Sequence, residues 1–169
     1  MYSLDQVKSE VERLAALLEA PANLLPTFGR SEDFGRPHIE ADATGYHYVV
    51  VERGRELSRI TTLNFDDLLY HIFEAVTFSM AGVFEVAHRI EQQDCRRIIF
   101  RRHIELMSVL SPDWAKRASI KQGNVLREYP FDDLAIVRMR YSQELSRQGR
   151  SAGDAWEKAC VRYPLPKPS

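Results

Sequence analysis

The sequence predicts an α+β domain: an N-terminal helix, a small three-stranded antiparallel meander, then a mainly helical C-terminal majority. Three observations carry that prediction. Apolar residues recur at three- and four-residue steps from Leu4 to Leu18. The period changes to two between His38 and Thr62, as expected of strands with one buried face. From Asn64 onward the helical period returns and persists to Cys160.

Ser3 followed by Gln6 has the spacing of a capping box, in which each side chain satisfies an orphan N–H of the first helical turn. Leu4, Val7, Val11, Leu14 and Leu18 then form one apolar face, and Pro21 ends the helix because it lacks the N–H that the ladder needs. That face either packs on the chain's own core or forms a short seam with a second copy, so a homodimer is compatible with it. Residues 21–37 carry Pro21, Pro26, Gly29, Gly35 and Pro37 and read as an irregular connection.

The meander follows. A short strand over His38–Asp42 is joined by Ala43-Thr44-Gly45 to a β-branched and aromatic strand, Tyr46–Glu52. Arg53-Gly54 turns the chain into a third run through Thr62, with Gly45 and Gly54 supplying the positive φ that turns need. Three strands with one apolar face require a helical partner layer.

Asn64 caps the next helix, and Asp66 and Asp67 place negative charge at its positive end. Leu68, Leu69, Ile72, Phe73, Val76, Phe78 and Met80 make it the most buried helix, with a bend expected at Gly82. Asp94 caps a further helix that turns Ile98, Ile99, Phe100, Ile104, Met107 and Leu110 inward. Ser111-Pro112-Asp113 is a restart, a cap followed by proline at the first helical position, and that helix stops near Tyr129-Pro130. Asp132 or Asp133 starts another helix ending at Gly149, and Ser151 caps a last one holding Trp156 and Cys160. Residues 1–163 therefore read as one domain, and 164–169, with Pro164, Pro166 and Pro168, as a flexible tail.

Composition excludes several classes. At 169 residues, 44% hydrophobic and 28% charged, the chain is neither disordered nor fibrous. A formal charge of −1 argues against a dedicated nucleic-acid binder. Cys95 and Cys160 are too few for a disulfide framework. No run approaches the ~18 apolar residues of a membrane span, and Met1–Glu12 lacks the apolar region of a signal peptide, so a cytoplasmic location is expected. Charge is nonetheless uneven: residues 1–52 carry nine acids and four bases, residues 94–169 nine acids and fifteen bases.

The search for catalytic or ligating patterns finds none assembled. His71 and Glu74 share a helical face, but a zinc site needs at least three protein ligands and the others are missing. His88 and His103 read as surface histidines, and His47 faces away from Tyr46 and Tyr48. Cys95 beside Arg96 and Arg97 lacks the accompanying motif of a reactive thiol. Ser79 lacks the flanking glycines of a nucleophile elbow. Arg96, Arg97, Arg101 and Arg102 place a basic stripe on one helix, a weak signal for phosphate recognition without exposed aromatics. Neither a catalytic residue, a cofactor nor a metal site is assigned.

A series of short motifs carries a family resemblance. In order they are Pro26-Thr27-Phe28-Gly29, Pro37-His38-Ile39-Glu40, Gly45-Tyr46-His47-Tyr48-Val49-Val50 and Glu52-Arg53-Gly54. They continue through Thr61-Thr62, Leu68-Leu69-Tyr70, Val76-Thr77-Phe78-Ser79-Met80-Ala81 and Arg89-Ile90-Glu91. Asp94 with Arg96-Arg97, Trp114 and Pro130-Phe131-Asp132-Asp133 close the series. From Pro26 to Asp133 the chain resembles immunity protein family sixty-three of the bacterial polymorphic toxin systems.

The resemblance implies a small protein that binds a cognate toxin domain by direct contact and prevents self-intoxication, without catalysis of its own. The exposed groups of the meander are the expected contact surface: Glu40, Asp42, Tyr46, Tyr48, Glu52, Arg53 and Glu56. Tyrosine and arginine are favoured interface anchors, and the acidic bias of residues 1–52 suits a basic toxin such as a nuclease. Two other classes stay open at this point. A small enzyme that disarms a toxin or its product needs His47, His71 and Glu74 to converge, and a nucleic-acid-binding regulator needs the Arg96–Arg102 stripe free.

Overall fold

The chain is described over residues 1–168 by a computed structural model. Helix α1 (Leu4–Leu17) opens with the capping box complete: Ser3 accepts from the Gln6 N–H and Gln6 accepts from the Ser3 N–H. A short 3-10 turn leads into strands β1 (Thr27–Phe28), β2 (Pro37–Asp42), β3 (Gly45–Glu52) and β4 (Arg55–Thr62). Helices α2 (Phe65–Ala87), α3 (Arg96–Leu110), α4 (Pro112–Glu128), α5 (Ala135–Arg147) and α6 (Ala152–Arg162) complete the fold.

The sheet has four strands in the order β1-β2-β3-β4, not three. The additional strand is the two-residue β1, parallel to β2 with Thr27 opposite His38. It escapes the sequence pattern because two residues show no alternation. β2, β3 and β4 form the expected antiparallel meander, with Ile39 opposite Tyr48 and Tyr48 opposite Ile60. Gly45 is required where it stands: its φ is 139°, and a Cβ there would lie 2.7 Å from the Thr62 carbonyl oxygen. Arg53 and Gly54 both take positive φ in the β3–β4 turn, the geometry of a two-residue hairpin that follows strand twist.

Because opposed residues share a face, Ile39, Tyr46 and Tyr48 point to one side of the sheet and His38, Glu40, His47, Val49, Arg59 and Thr61 to the other. Helices α1 and α2 cover the first side, α1 against β2 and α2 across β3 and β4. The apolar face of α1 (Val7, Val11, Leu14, Leu18) is buried in the chain's own core. α2 is the central helix, and Phe73 stacks on Trp114 of α4 at 6.2 Å between ring centres. The Trp114 indole N–H donates to Asp66 in the first turn of α2.

Several local expectations are corrected. α2 runs unbroken through Gly82 to Ala87. Phe78, expected inward, is 45% exposed. Asp94 caps α3 through the Arg96 N–H, as its position suggested. Neither Asp132 nor Asp133 caps α5, because both carboxylates are captured elsewhere: Asp132 by Arg138, Asp133 by Arg97 and by the Asp94 N–H. Arg138 also donates to the carbonyls of Tyr163 and Pro164, tying down the start of the tail. No helix among the described residues is long and apolar enough to cross a membrane.

Candidate partner-binding surfaces

The outer face of the meander is built around Arg59. Its guanidinium donates to Glu40 at 2.7 Å and, bidentately, to Glu56, while His38 Nε2 meets the other Glu40 oxygen at 3.0 Å. At the β2–β3 turn, Asp42 accepts from the N–H and hydroxyl of Thr44 and lies 3.1 Å from His47 Nε2. His47 Nδ1 in turn meets Thr61 at 2.8 Å. Arg59, then His38, holds Glu40 below the usual carboxylate range, and Arg59 does the same for Glu56. The Thr44 hydroxyl, the Thr44 N–H and His47 drive Asp42 lower still. Three carboxylates against one guanidinium keep this face anionic across the physiological range.

The sequence-predicted site residues separate into two groups. Glu40, Asp42 and Glu56 share the outer face, and Glu52 and Arg53 stand exposed at the β3–β4 turn. Tyr46 and Tyr48 point the opposite way. Tyr46 is 1% exposed and its hydroxyl accepts the Tyr2 N–H, so the expectation of an exposed ring there is corrected. Tyr48 is also buried; desolvation, reinforced by the Glu74 carboxylate, pushes its hydroxyl up to about 12.

Tyr48 lines a groove that the sequence does not announce. The sheet contributes Tyr48 and Ile60, α2 contributes His71, Glu74, Ala75 and Phe78, and α3 contributes Arg96, Phe100 and His103. Ala118, Lys121, Gln122 and Val125 of α4 close it, around a volume of about 510 Å3. That size falls in the usual range for ligand clefts, roughly 300–1,000 Å3. Phe78 lies edge-on to His103 at 5.4 Å and tilted against Phe100 at 6.5 Å. His103, expected at the surface, is 3% exposed, because α3 turns it onto α2 and α4. Gln122 meets its Nδ1 at 2.9 Å, and its Nε2 has no hydrogen-bond partner. Burial pushes His103 below its ordinary value against the pull of Glu74, and burial likewise lowers His71.

The two alternative chemistries lack their geometry. His47 faces the outer side of the sheet, whereas His71 and Glu74 sit on α2 across it, so the three do not converge. Most of the arginine stripe is engaged internally, although Arg101 stays largely exposed, 3.9 Å from Glu105. Arg96 binds Asp94 and the carbonyls of Tyr129 and Pro130, Arg97 binds Asp133, and Arg101 and Arg102 face Glu105.

Both surfaces draw on one stretch of chain, and that stretch has a known counterpart. Residues 42–122 match the family Immunity protein 63. The expected resemblance is thus shown across β3, β4 and α2 to most of α4. The Immunity protein 63 region holds Asp42, Glu52, Arg53, Glu56 and all groove residues except Val125, while Glu40 lies just before it. No curated protein and no solved structure matches the chain.

Proposed function

We propose that this protein is an immunity protein that binds a cognate toxin domain and neutralises it by direct occlusion. The observation that supports a contact mechanism is the anionic outer face formed by Glu40, Asp42 and Glu56, extended by Glu52 and Arg53 at the adjoining turn. A toxin that grips nucleic acid must present cations, and such a face both speeds encounter and competes for those cations. The net negative charge of residues 1–52 is not cancelled by the basic second half: among the described residues, no ion pair joins residues 1–52 to residues 94–169, although Glu10, Glu12, Glu32, Glu40 and Glu52 pair locally or with Arg59. The basic side chains of the second half that form ion pairs do so within it or with α2, as Arg117 does with Asp67 and Lys121 with Glu74. The toxin class that fits is a basic nuclease.

The test is binding to the toxin domain encoded beside this gene. Reversing Glu40, Asp42 and Glu52 to lysine is expected to slow association and flatten its salt dependence. Because Glu40 also anchors Arg59 and Asp42 organises the β2–β3 turn, Glu52→Lys alone separates a lost contact from a disturbed sheet. Unchanged affinity in both variants removes the acidic face from the interface.

A further inference from the structure

The groove beside Tyr48 adjoins the free margin of the sheet. β4 is the last strand in the order, and all its residues from Arg55 to Thr61 are exposed. A free edge offers a row of unpaired N–H and C=O groups to an incoming strand. Proteins discourage such pairing with charge, and Arg55, Glu56 and Arg59 guard the first part of β4; the end, Ile60–Thr62, carries none. Ile60 is also the residue through which β4 lines the groove, and it is 36% exposed. Phe78 and Val125 add further exposed apolar surface from α2 and α4.

The polar groups of the groove specify what it accepts. Glu74 is already paired with Lys121 at 2.6 Å. Arg96 is paired with Asp94 at 2.6 Å and its other N–H groups reach the Tyr129 and Pro130 carbonyls. A charged occupant therefore finds no unmatched counter-charge. One group is poorly served: with the Gln122 amide donating to His103 Nδ1, the ring proton sits on Nε2, where the nearby Glu74 backbone carbonyl does not reach hydrogen-bond geometry. Such a donor costs free energy that a well-placed acceptor restores.

We propose that the groove receives an extended, uncharged segment of a partner protein. That segment pairs with the Ile60–Thr62 end of β4, seats one apolar side chain among Ile60, Phe78 and Val125, and offers an oxygen to His103 Nε2. The mode is strand addition, in which main-chain pairing gives affinity and the pocket for alternate side chains gives specificity. It rests on the occlusion reading for the partner's identity, since it assigns the toxin a second point of attachment beside the acidic face.

Two measurements on the full chain decide it. The first needs no toxin: N-acetyl-leucinamide, a neutral apolar group with carbonyl acceptors, is titrated into 15N-labelled protein. Shifts confined to the neighbourhood of Ile60, Phe78, His103 and Val125, abolished by Ala75→Trp and absent with acetyl-aspartate, support the site. Scattered shifts, or none, overturn it. Ala75 is exposed on α2, so tryptophan fills the groove without displacing core. The second uses the neighbouring toxin domain, where Ile60→Lys and Ala75→Trp are each expected to weaken binding roughly tenfold or more. If the wild type binds and neither substitution matters, the groove proposal falls and occlusion stands. If the wild type does not bind, occlusion falls and the peptide titration alone judges the groove. A dimer in sedimentation that Ile60→Lys abolishes gives the β4 edge to a second copy and overturns the proposal.

Discussion

The body of the molecule, α1 to α4 with the sheet, and the α5–α6 hairpin are held by different physics. The body shares one apolar core, running from Val7 and Val11 through Ile39, Tyr46 and Phe73 to Met107, Trp114 and Ala118. The hairpin contributes nothing to that core; α5 and α6 pack chiefly on each other around Leu145, Ala155 and Ala159. What joins it to the body is a chain of charged hydrogen bonds. Arg96 binds Asp94, Asp94 accepts the Asp132 N–H, and Asp132 binds Arg138, itself 1% exposed. Apolar burial is non-directional and scales with the area removed from water. A buried ionic joint gives little net stability when complete but is costly to break, because removing one partner strands the other. The joint thus fixes where the hairpin sits, while the core determines whether the domain folds. Both candidate surfaces lie on the body, with Arg96 shared between the groove and the joint, so the proposed toxin binding is expected to depend more on the core than on the hairpin.

The largest effect is expected in the core. Phe73→Ala leaves a cavity against Trp114 and is predicted to cost about 3–5 kcal/mol. Its two tryptophans give each region a reporter, Trp114 in the core and Trp156 on α6. In protein carrying 5-fluorotryptophan, both 19F resonances are expected to shift to unfolded positions together at a lowered denaturant midpoint. Arg138→Ala is expected to act differently. It strands Asp132 and frees the Tyr163 and Pro164 carbonyls, costing about 3 kcal/mol locally. The Trp156 resonance then moves before that of Trp114. If both still move together, the hairpin and the body are one cooperative unit and the contrast drawn above is wrong.

Acid probes the same joint. Burial opposes the charge on Asp94, yet Arg96 and the N–H groups of Asp132 and Arg96 hold its carboxyl at about 2, below the ordinary 3.8. A depressed native value means that this contribution is complete above about pH 4 and drains away as pH falls toward 2. Hairpin opening, read at Trp156, is predicted to begin on that limb. Asp94→Asn is expected to weaken the joint at neutral pH and to flatten its acid dependence.

What the sequence disclosed follows the reach of the interactions. The caps at Ser3, Asn64, Ser111 and Ser151 were legible because each side chain bonds an N–H two or three residues away. Asp132 and Asp133 present the same signal and mislead, since Arg138, six residues on, and Arg97, 36 residues back, claim their carboxylates first. The acidic half of the candidate site is readable as charge bias, whereas the alternation does not show that Tyr46 turns into the core and Tyr48 into the groove. The groove was not readable, because its lining comes from β3, β4, α2, α3 and α4 and its orphan nitrogen belongs to a histidine that looked solvated. Phe78, counted by periodicity with the buried face of α2, stands 45% exposed in the groove instead.

The smallest effect separates charge from packing within the joint. Arg97 binds Asp133 at 2.9 Å through a pair that is well exposed on both sides, 39% and 43%. Such a pair is worth at most about 1 kcal/mol after screening by solvent. Its guanidinium also lies 4.3 Å from the centre of the Phe131 ring, a contact worth about 0.5–1 kcal/mol at an exposed site. Arg97→Ala is therefore expected to destabilise the hairpin by about 1 kcal/mol at low salt. At 1 M salt, where the screening length is about 3 Å, the ion-pair share shrinks while the ring contact persists. Arg97→Lys keeps the charge but loses the planar fork and most of the stacking, so it recovers only part of the loss. A penalty for Arg97→Ala that vanishes entirely in salt assigns the contact to charge alone. A penalty indifferent to salt assigns it to Phe131, and brings at least this corner of the joint closer to the apolar physics of the body.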